Sequence, residues 1–174
     1  MKKIISILPI VILVLLSCQN NKTETNSGNY EAKMETETNN IALVKKLLLE
    51  GDNKNPSILD EIANPEYKYY LPSNNAPLSK EEHKQFWESV NRSFPDLNHS
   101  VQEIFAVDDK VVARTIVRGT HQEEFSGIPA TGASVEISQI LICRFTNGKL
   151  VELREEVDLL GLYQQLHMEL QPKQ

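Results

Sequence analysis

The chain has 174 residues, with 18 lysines and arginines against 24 aspartates and glutamates, a formal charge of −6, and 40% hydrophobic residues. One domain with a tail is the economical reading, and the lack of a clustered basic surface argues against nucleic acid as a partner. Two cysteines, Cys18 and Cys143, exclude a disulfide-stapled miniprotein and lack the paired spacing of a zinc site, so the fold must rest on an apolar core with no metal expected.

Residues 1–17 read as an address. Lys2 and Lys3 precede a nearly unbroken apolar run from Ile4 to Leu16. As a helix this run rises roughly 20 Å, short of the about 30 Å of a bilayer core, so a signal-peptide core fits and a permanent span does not. The run ends in Leu15-Leu16-Ser17-Cys18, which resembles the bacterial lipobox, where the cysteine is acylated and becomes the new N-terminus. Cys18 is then a lipidation site; the open alternative is an ordinary secretory signal with an incidental cysteine. Cleavage before Cys18 removes Lys2 and Lys3 and no acid, taking the charge from −6 to −8. An acidic protein gains nothing from anionic lipid, so acyl chains must supply the anchor. The expected location is the cell envelope, as a membrane-anchored lipoprotein. Gln19, in place of an inner-membrane-retaining aspartate, points to the outer membrane. Residues 18–39, rich in Asn, Thr, Glu and Lys, read as a flexible polar tether.

The domain is expected over 40–170. Ile41, Val44, Leu47 and Leu48 recur at helical spacing up to Gly51, placed where a C-terminal cap belongs. Asn55-Pro56 opens a second, short helix through Ile58, Leu59 and Ile62. Tyr67 to Leu71 looks extended. Ser79 and Glu82 form a capping box for a third helix that carries Phe86, Trp87, Val90 and Phe94 on one face and stops at Pro95. Four strand-like runs follow, at about 98–107, 110–121, 135–146 and 149–158, joined in pairs by Asp108-Asp109 and Asn147-Gly148. Leu159 to Leu170 closes the chain in a short helix. Helices first and a meander afterwards predict an α+β sandwich with helices on one face of a curved antiparallel sheet.

The last strand singles out one residue. Val151, Leu153 and Val157 share a face by the period of two, and Glu155 stands in the same apolar row. An unpaired charge on a dry face shifts its pKa or requires a partner. A bulged three-residue loop at Asn147-Gly148 pairs Phe145 with Lys149, Cys143 with Val151, Leu141 with Leu153 and Gln139 with Glu155, joining apolar row to apolar row. A two-residue loop would set Glu155 beside Ile140 and mix the faces, so the bulged form is preferred. Gln139 and Glu155 then face each other across an apolar concave wall, the pattern of a ligand pocket. The opposite face, with Ile140, Ile142 and Leu150, is too apolar for solvent and predicts a homodimer interface.

The chain resembles a known family at several points. Arg118-Gly119-Thr120-His121, Phe125, Gly127-Ile128-Pro129-Ala130-Thr131-Gly132, the hairpin Asn147-Gly148-Lys149-Leu150-Val151-Glu152 and the ending Asp158-Leu159-Leu160-Gly161-Leu162 look like the SnoaL-like polyketide cyclases, or ester cyclases, of the nuclear-transport-factor-2-like superfamily. Pro65-Glu66-Tyr67 and Phe94-Pro95-Asp96-Leu97 extend the resemblance over about 41–166. It implies a cone-shaped α+β barrel enclosing a hydrophobic cavity. It also implies ring closure by an intramolecular aldol reaction without metal or organic cofactor, in which an aspartate on the last strand acts as general base while a histidine polarises the developing enolate. The position of that acid is Glu155.

Departures from the family pattern are specific. Leu141 occupies the position of the cyclase histidine, and Glu155 is one methylene longer than aspartate. The extended segment of the family often presents a histidine near Tyr70; here Tyr67, Tyr69 and Tyr70 could offer a hydroxyl instead. The candidate ligand-binding set is Gln139, Leu141, Tyr70, Trp87 and His121, with Glu155 as candidate general base. His83, His99 and His167 have no ligand spacing, and Cys143 reads as a buried small hydrophobe. The implied function is binding of a small hydrophobic carbonyl compound, with or without cyclase- or isomerase-type proton abstraction. A non-catalytic binding or protein-interaction module on the same fold is the alternative.

Overall fold

In a computed structural model, residues 20–72 and 74–169 are described. The expected signal peptide and the Cys18 lipidation site lie outside them. The chain divides into two units, Met1–Met34 and Glu35–Gln174, and the second holds the site. No helix among the described residues is long and apolar enough to cross a membrane.

The first helix is longer than its apolar spacing suggests: α1 runs Asn20–Asp52, so the segment from Asn20 to Asn39 expected to be a tether is helical. Val44, Leu47 and Leu48 are buried and anchor its C-terminal part. Once a helix is nucleated there, each further residue adds a hydrogen bond without a new nucleation cost, so a polar sequence can extend it. Gly51 is inside α1 and not a left-handed cap, because its lack of a side chain accommodates the Trp87 ring, which a Cβ would overlap. The short helix α2, Ile58–Ile62, starts from Ser57, not from Asn55, and buries Ile58, Leu59 and Ile62.

Strand β1, Ala63–Tyr70, leads through a loop to α3, Lys80–Ser93. Ser79 and Glu82 make the expected capping box: the Glu82 backbone N–H donates to Ser79 Oγ and the Glu82 carboxylate accepts from the Ser79 backbone N–H at 2.7 Å. The meander follows as β2 (Asn98–Val107), β3 (Lys110–Thr120), β4 (Ser134–Thr146) and β5 (Lys149–Val157), then α4 (Leu159–Gln165). The sheet order is β1-β5-β4-β3-β2. It is curved and does not close into a complete barrel. One edge differs from the expected all-antiparallel sheet, since β1 pairs parallel to β5. The intervening α3 and the meander return the chain to that edge in the same direction, as a parallel neighbour requires.

The β4–β5 hairpin also differs from expectation. Asn147 and Gly148 both have positive φ, 51° and 71°, and form a two-residue turn of the I′ kind with Thr146 opposite Lys149 and Phe145 opposite Leu150. Arg144 then pairs with Glu152, which leaves Val151 as an extra residue in β5. This bulge re-aims the strand. Leu150 turns inward and is fully buried, Val151 leaves the inner row, and from Leu153 onward the alternation resumes with Cys143 opposite Leu153 and Leu141 opposite Glu155. Leu150 therefore belongs to the core and not to the outer face, where Ile140 and Ile142 remain exposed.

Candidate functional site

Alternation along β4 sends Val135, Ile137, Gln139, Leu141, Cys143 and Phe145 inward, and along β3 it sends Val111, Ala113, Thr115 and Val117 inward. Two polar residues interrupt these rows, Thr115 and Gln139, and they lie directly opposite each other. Glu155 on β5 stands diagonally from Gln139, within reach of a long side chain. The three make one chain of hydrogen bonds. Thr115 Oγ1 donates to Gln139 Oε1 at 2.8 Å, which orients the amide so that Gln139 Nε2 donates to Glu155 Oε1 at 2.6 Å. Tyr69 Oη donates to Glu155 Oε2. Gln139 and Glu155 thus meet as partners, by a diagonal contact and not by the direct pairing expected.

This carboxyl lines a cavity of about 200 Å³ between the concave sheet face, α1 and α3. Leu47 and Leu48 from α1, Phe86, Trp87 and Val90 from α3, and Leu141 from the sheet contribute apolar wall. Burial pushes the Glu155 pKa above its ordinary 4.5, while the Tyr69 and Gln139 donors and the charge of His99 pull it down without cancelling the rise. An acid so placed spends more of its time protonated than a surface glutamate and is a stronger base once ionised.

Tyr69 is held by an aromatic stack. Its ring lies 3.8 Å from that of His83 on α3, which in turn faces Trp87 at 5.4 Å, and His83 Nδ1 is 3.0 Å from Tyr67 Oη. Burial takes the His83 pKa from 6.5 to about 3, so this ring is neutral at physiological pH and acts as a platform, not as an acid. The Cys143 thiol, pushed up to about 12 by burial and the nearby Glu155 charge, stays protonated and inert.

The sequence-derived candidates separate cleanly. Gln139, Leu141, Trp87 and Glu155 line the cavity. Tyr70 does not: successive strand residues face opposite ways, so Tyr69 points in while Tyr70 lies under the Arg154 guanidinium, 3.9 Å from its ring centroid. The hydroxyl beside the acid comes from Tyr69. His121 is also outside the lining, fully buried against Phe94 with Nδ1 3.1 Å from Thr131 Oγ1, where it holds the loop after β3. Two histidines given no role by spacing, His83 and His99, line the cavity instead. The helical face shared by His83, Trp87 and Val90 was a sequence signal for the first; nothing local marked the second. Among the described residues no group of three or more His, Cys, Asp or Glu could hold a metal ion.

Comparisons with known proteins agree with this geometry. No curated protein matches the chain significantly. Among solved structures, a candidate SnoaL-like polyketide cyclase from Jannaschia sp. CCS1 superposes with a TM-score of 0.72 at 24% identity, over 77% of this chain and 95% of that one. AclR, a candidate hydroxylase from Streptomyces galilaeus, gives 0.66 at 28% identity, covering 72% and 93%. IdmH, a candidate polyketide cyclase from Streptomyces antibioticus, gives 0.66 at 27% identity, covering 73% and 97%. The family model for SnoaL-like polyketide cyclases matches residues 42–166, the span that holds the curved sheet, the cavity and the inward acid. On that match the chain belongs to the SnoaL-like polyketide cyclase family.

Proposed function

We propose that the protein binds a small hydrophobic carbonyl compound in this cavity and that Glu155 removes a proton activated by the carbonyl, a cyclase- or isomerase-type step needing no cofactor. The observation that carries this reading is a carboxyl group with a raised pKa on an otherwise apolar wall, its position fixed by Tyr69 and Gln139. Size narrows the class. A dry cavity of about 150 Å³ takes benzene, whereas pockets for drug-sized ligands run from about 300 to 1,000 Å³. The about 200 Å³ available here suits one or two fused rings.

The test is exchange of the α-hydrogens of 2-tetralone for deuterium in heavy water, followed by proton NMR. The wild-type protein should accelerate it, and Glu155→Gln should lose about a hundredfold or more of that rate while keeping its melting temperature. A wild-type protein that binds the ketone without exchanging its hydrogens would replace the enzyme by a binding module. That second reading has support of its own, since both oxygens of Glu155 already accept hydrogen bonds.

The same proposal places the protein in the cell envelope, anchored through an acylated Cys18 and dimeric through the outer sheet face. The apolar run before Cys18 and the exposure of Ile140 and Ile142 support these two parts. Labelled palmitate incorporated by the wild type and not by Cys18→Ser would bear out the anchor; equal labelling of both would remove it.

A further inference from the structure

A polar group on the cavity wall, His99, is left unused by the proton-abstraction reading. Asp52, the last residue of α1, holds His99 on β2 at two points: Oδ2 accepts from the His99 backbone N–H at 3.1 Å, and Oδ1 accepts from Nδ1 at 2.6 Å. The ring is thereby fixed with Nε2 at its other end. The His99 side chain is 8% exposed and lines the cavity, and Nε2 has no hydrogen-bond partner among the described residues. Nor is that nitrogen sealed away. Among the described residues the only side-chain nitrogen or oxygen both shut off and unpaired is Nε2 of His121. Nε2 of His99 therefore keeps some exposure, and the residue that carries it lines the cavity.

Pinning the start of β2 to α1 needs only the bond to the backbone, which any residue but proline at position 99 could donate. The second bond serves the imidazole alone, and aspartate–histidine contacts of this kind set which ring nitrogen faces a ligand. His99 sits in the inward row with Val117 and Ile137, whereas Glu155 is opposite Leu141, four residues further along β4. On a flat sheet that separation is three strands, about 14 Å, and four residues, about 13 Å. Both residues line the same cavity, and the curl of the sheet brings them closer than that flat-sheet separation. The cavity between them thus has a polar group from β5 and another from β2.

We propose that His99, oriented by Asp52, is a second ligand-binding group of this cavity, and that the natural ligand is a compact apolar molecule with oxygen functions at opposite ends, one at Glu155 and one at Nε2 of His99. Neutral, the ring accepts from a hydroxyl or enol; doubly protonated, it donates to a carbonyl or enolate oxygen. His99 thus occupies, from a different strand, the polar role that Leu141 cannot fill. The assignment rests on the cavity being the ligand site.

Two fluorescent probes separate the possibilities: 2-naphthol, with one oxygen, and 2,6-dihydroxynaphthalene, with one at each end. Dissociation constants are measured on the full chain by fluorescence titration for wild type, Glu155→Gln, His99→Phe, His99→Gln and Asp52→Asn. In the wild type the second hydroxyl should tighten binding about tenfold, the worth of one well-made hydrogen bond. That gain, read as the ratio of the two probes' dissociation constants within each protein, should vanish in His99→Phe, return in part in His99→Gln and shrink in Asp52→Asn. Should His99→Phe fail to fold, the wild type against His99→Gln decides. An undiminished gain in the His99 variants overturns the proposal and leaves the Glu155 reading standing. Failure of both probes to bind the wild type overturns the cavity reading and this one with it.

Discussion

Tyr69→Phe isolates one hydroxyl. The ring keeps its stack on His83 at 3.8 Å and its place in the core, and only the donor to Glu155 Oε2 is removed. A hydrogen bond to a charged group contributes about 1.5–3 kcal/mol and one between neutral groups about 0.5–1.5 kcal/mol. The loss should therefore be larger where Glu155 is ionised. Linkage gives the sign. The folded-state pKa of Glu155 lies above its ordinary 4.5, so the folded protein binds this proton more tightly than the unfolded chain. Its stability contribution is whole below about pH 4.5 and is lost as pH rises through the folded-state value. Tyr69 is one of the donors holding that value down, so the variant raises it further and steepens the loss. Urea unfolding at pH 8 should show Tyr69→Phe less stable than wild type by about 1.5–3 kcal/mol, or roughly 3–12 °C in melting temperature. At pH 4 the difference should fall to about 1 kcal/mol. Equal losses at the two pH values would refute the charge-assisted role of Tyr69, and a larger loss at pH 4 would reverse the sign worked out here.

Other perturbations read different parts of the structure. Gly51→Ala places a methyl group into the Trp87 ring, at an overpacking cost of about 1–3 kcal/mol set against about 1 kcal/mol of improved helix propensity. Trp87 emission should shift and 2-naphthol binding should weaken; unchanged emission would mean that the ring does not abut α1. On the proposal that the outer sheet face is a homodimer interface, Ile142→Lys should abolish dimerisation in sedimentation and leave the melting temperature within a few degrees, because the residue is 36% exposed and contributes little to the core. A dimer that survives the substitution would remove this face from the interface.

Much of the architecture was legible because it follows from period and punctuation. The capping box at Ser79 and Glu82, the strand limits near Asp108 and Asn147, and the inward acid all follow from local pattern. In β1 the period of two puts Tyr67 and Tyr69 on the inner face and Tyr70 on the other, a pattern legible in the sequence. The hairpin was harder. Asn147-Gly148 fits both a two-residue turn and a bulged one, and the bulge lies three residues on, at Val151, where Leu150 and Val151 are equally apolar. The two-residue turn alone would mix the faces, and the bulge at Val151 returns Glu155 to the inner row opposite Leu141. Asp52 and His99 are 47 residues apart and meet only because α1 ends over the start of β2, a juxtaposition no local pattern encodes. The length of α1 was hidden for another reason: its N-terminal part has no apolar stripe, and the hydrogen-bonded backbone that extends it leaves no mark in the side chains.

The central claim is that Glu155 is a desolvated acid facing a ligand cavity, and carbon-13 NMR of carboxyl-labelled glutamate measures it directly, with Glu155→Gln identifying the resonance. Glu155 should titrate above the ordinary carboxylate value, and its resonance should move when 2-naphthol is added. A midpoint at or below 4.5 together with no response to the probe would describe a solvated surface carboxylate and contradict the account.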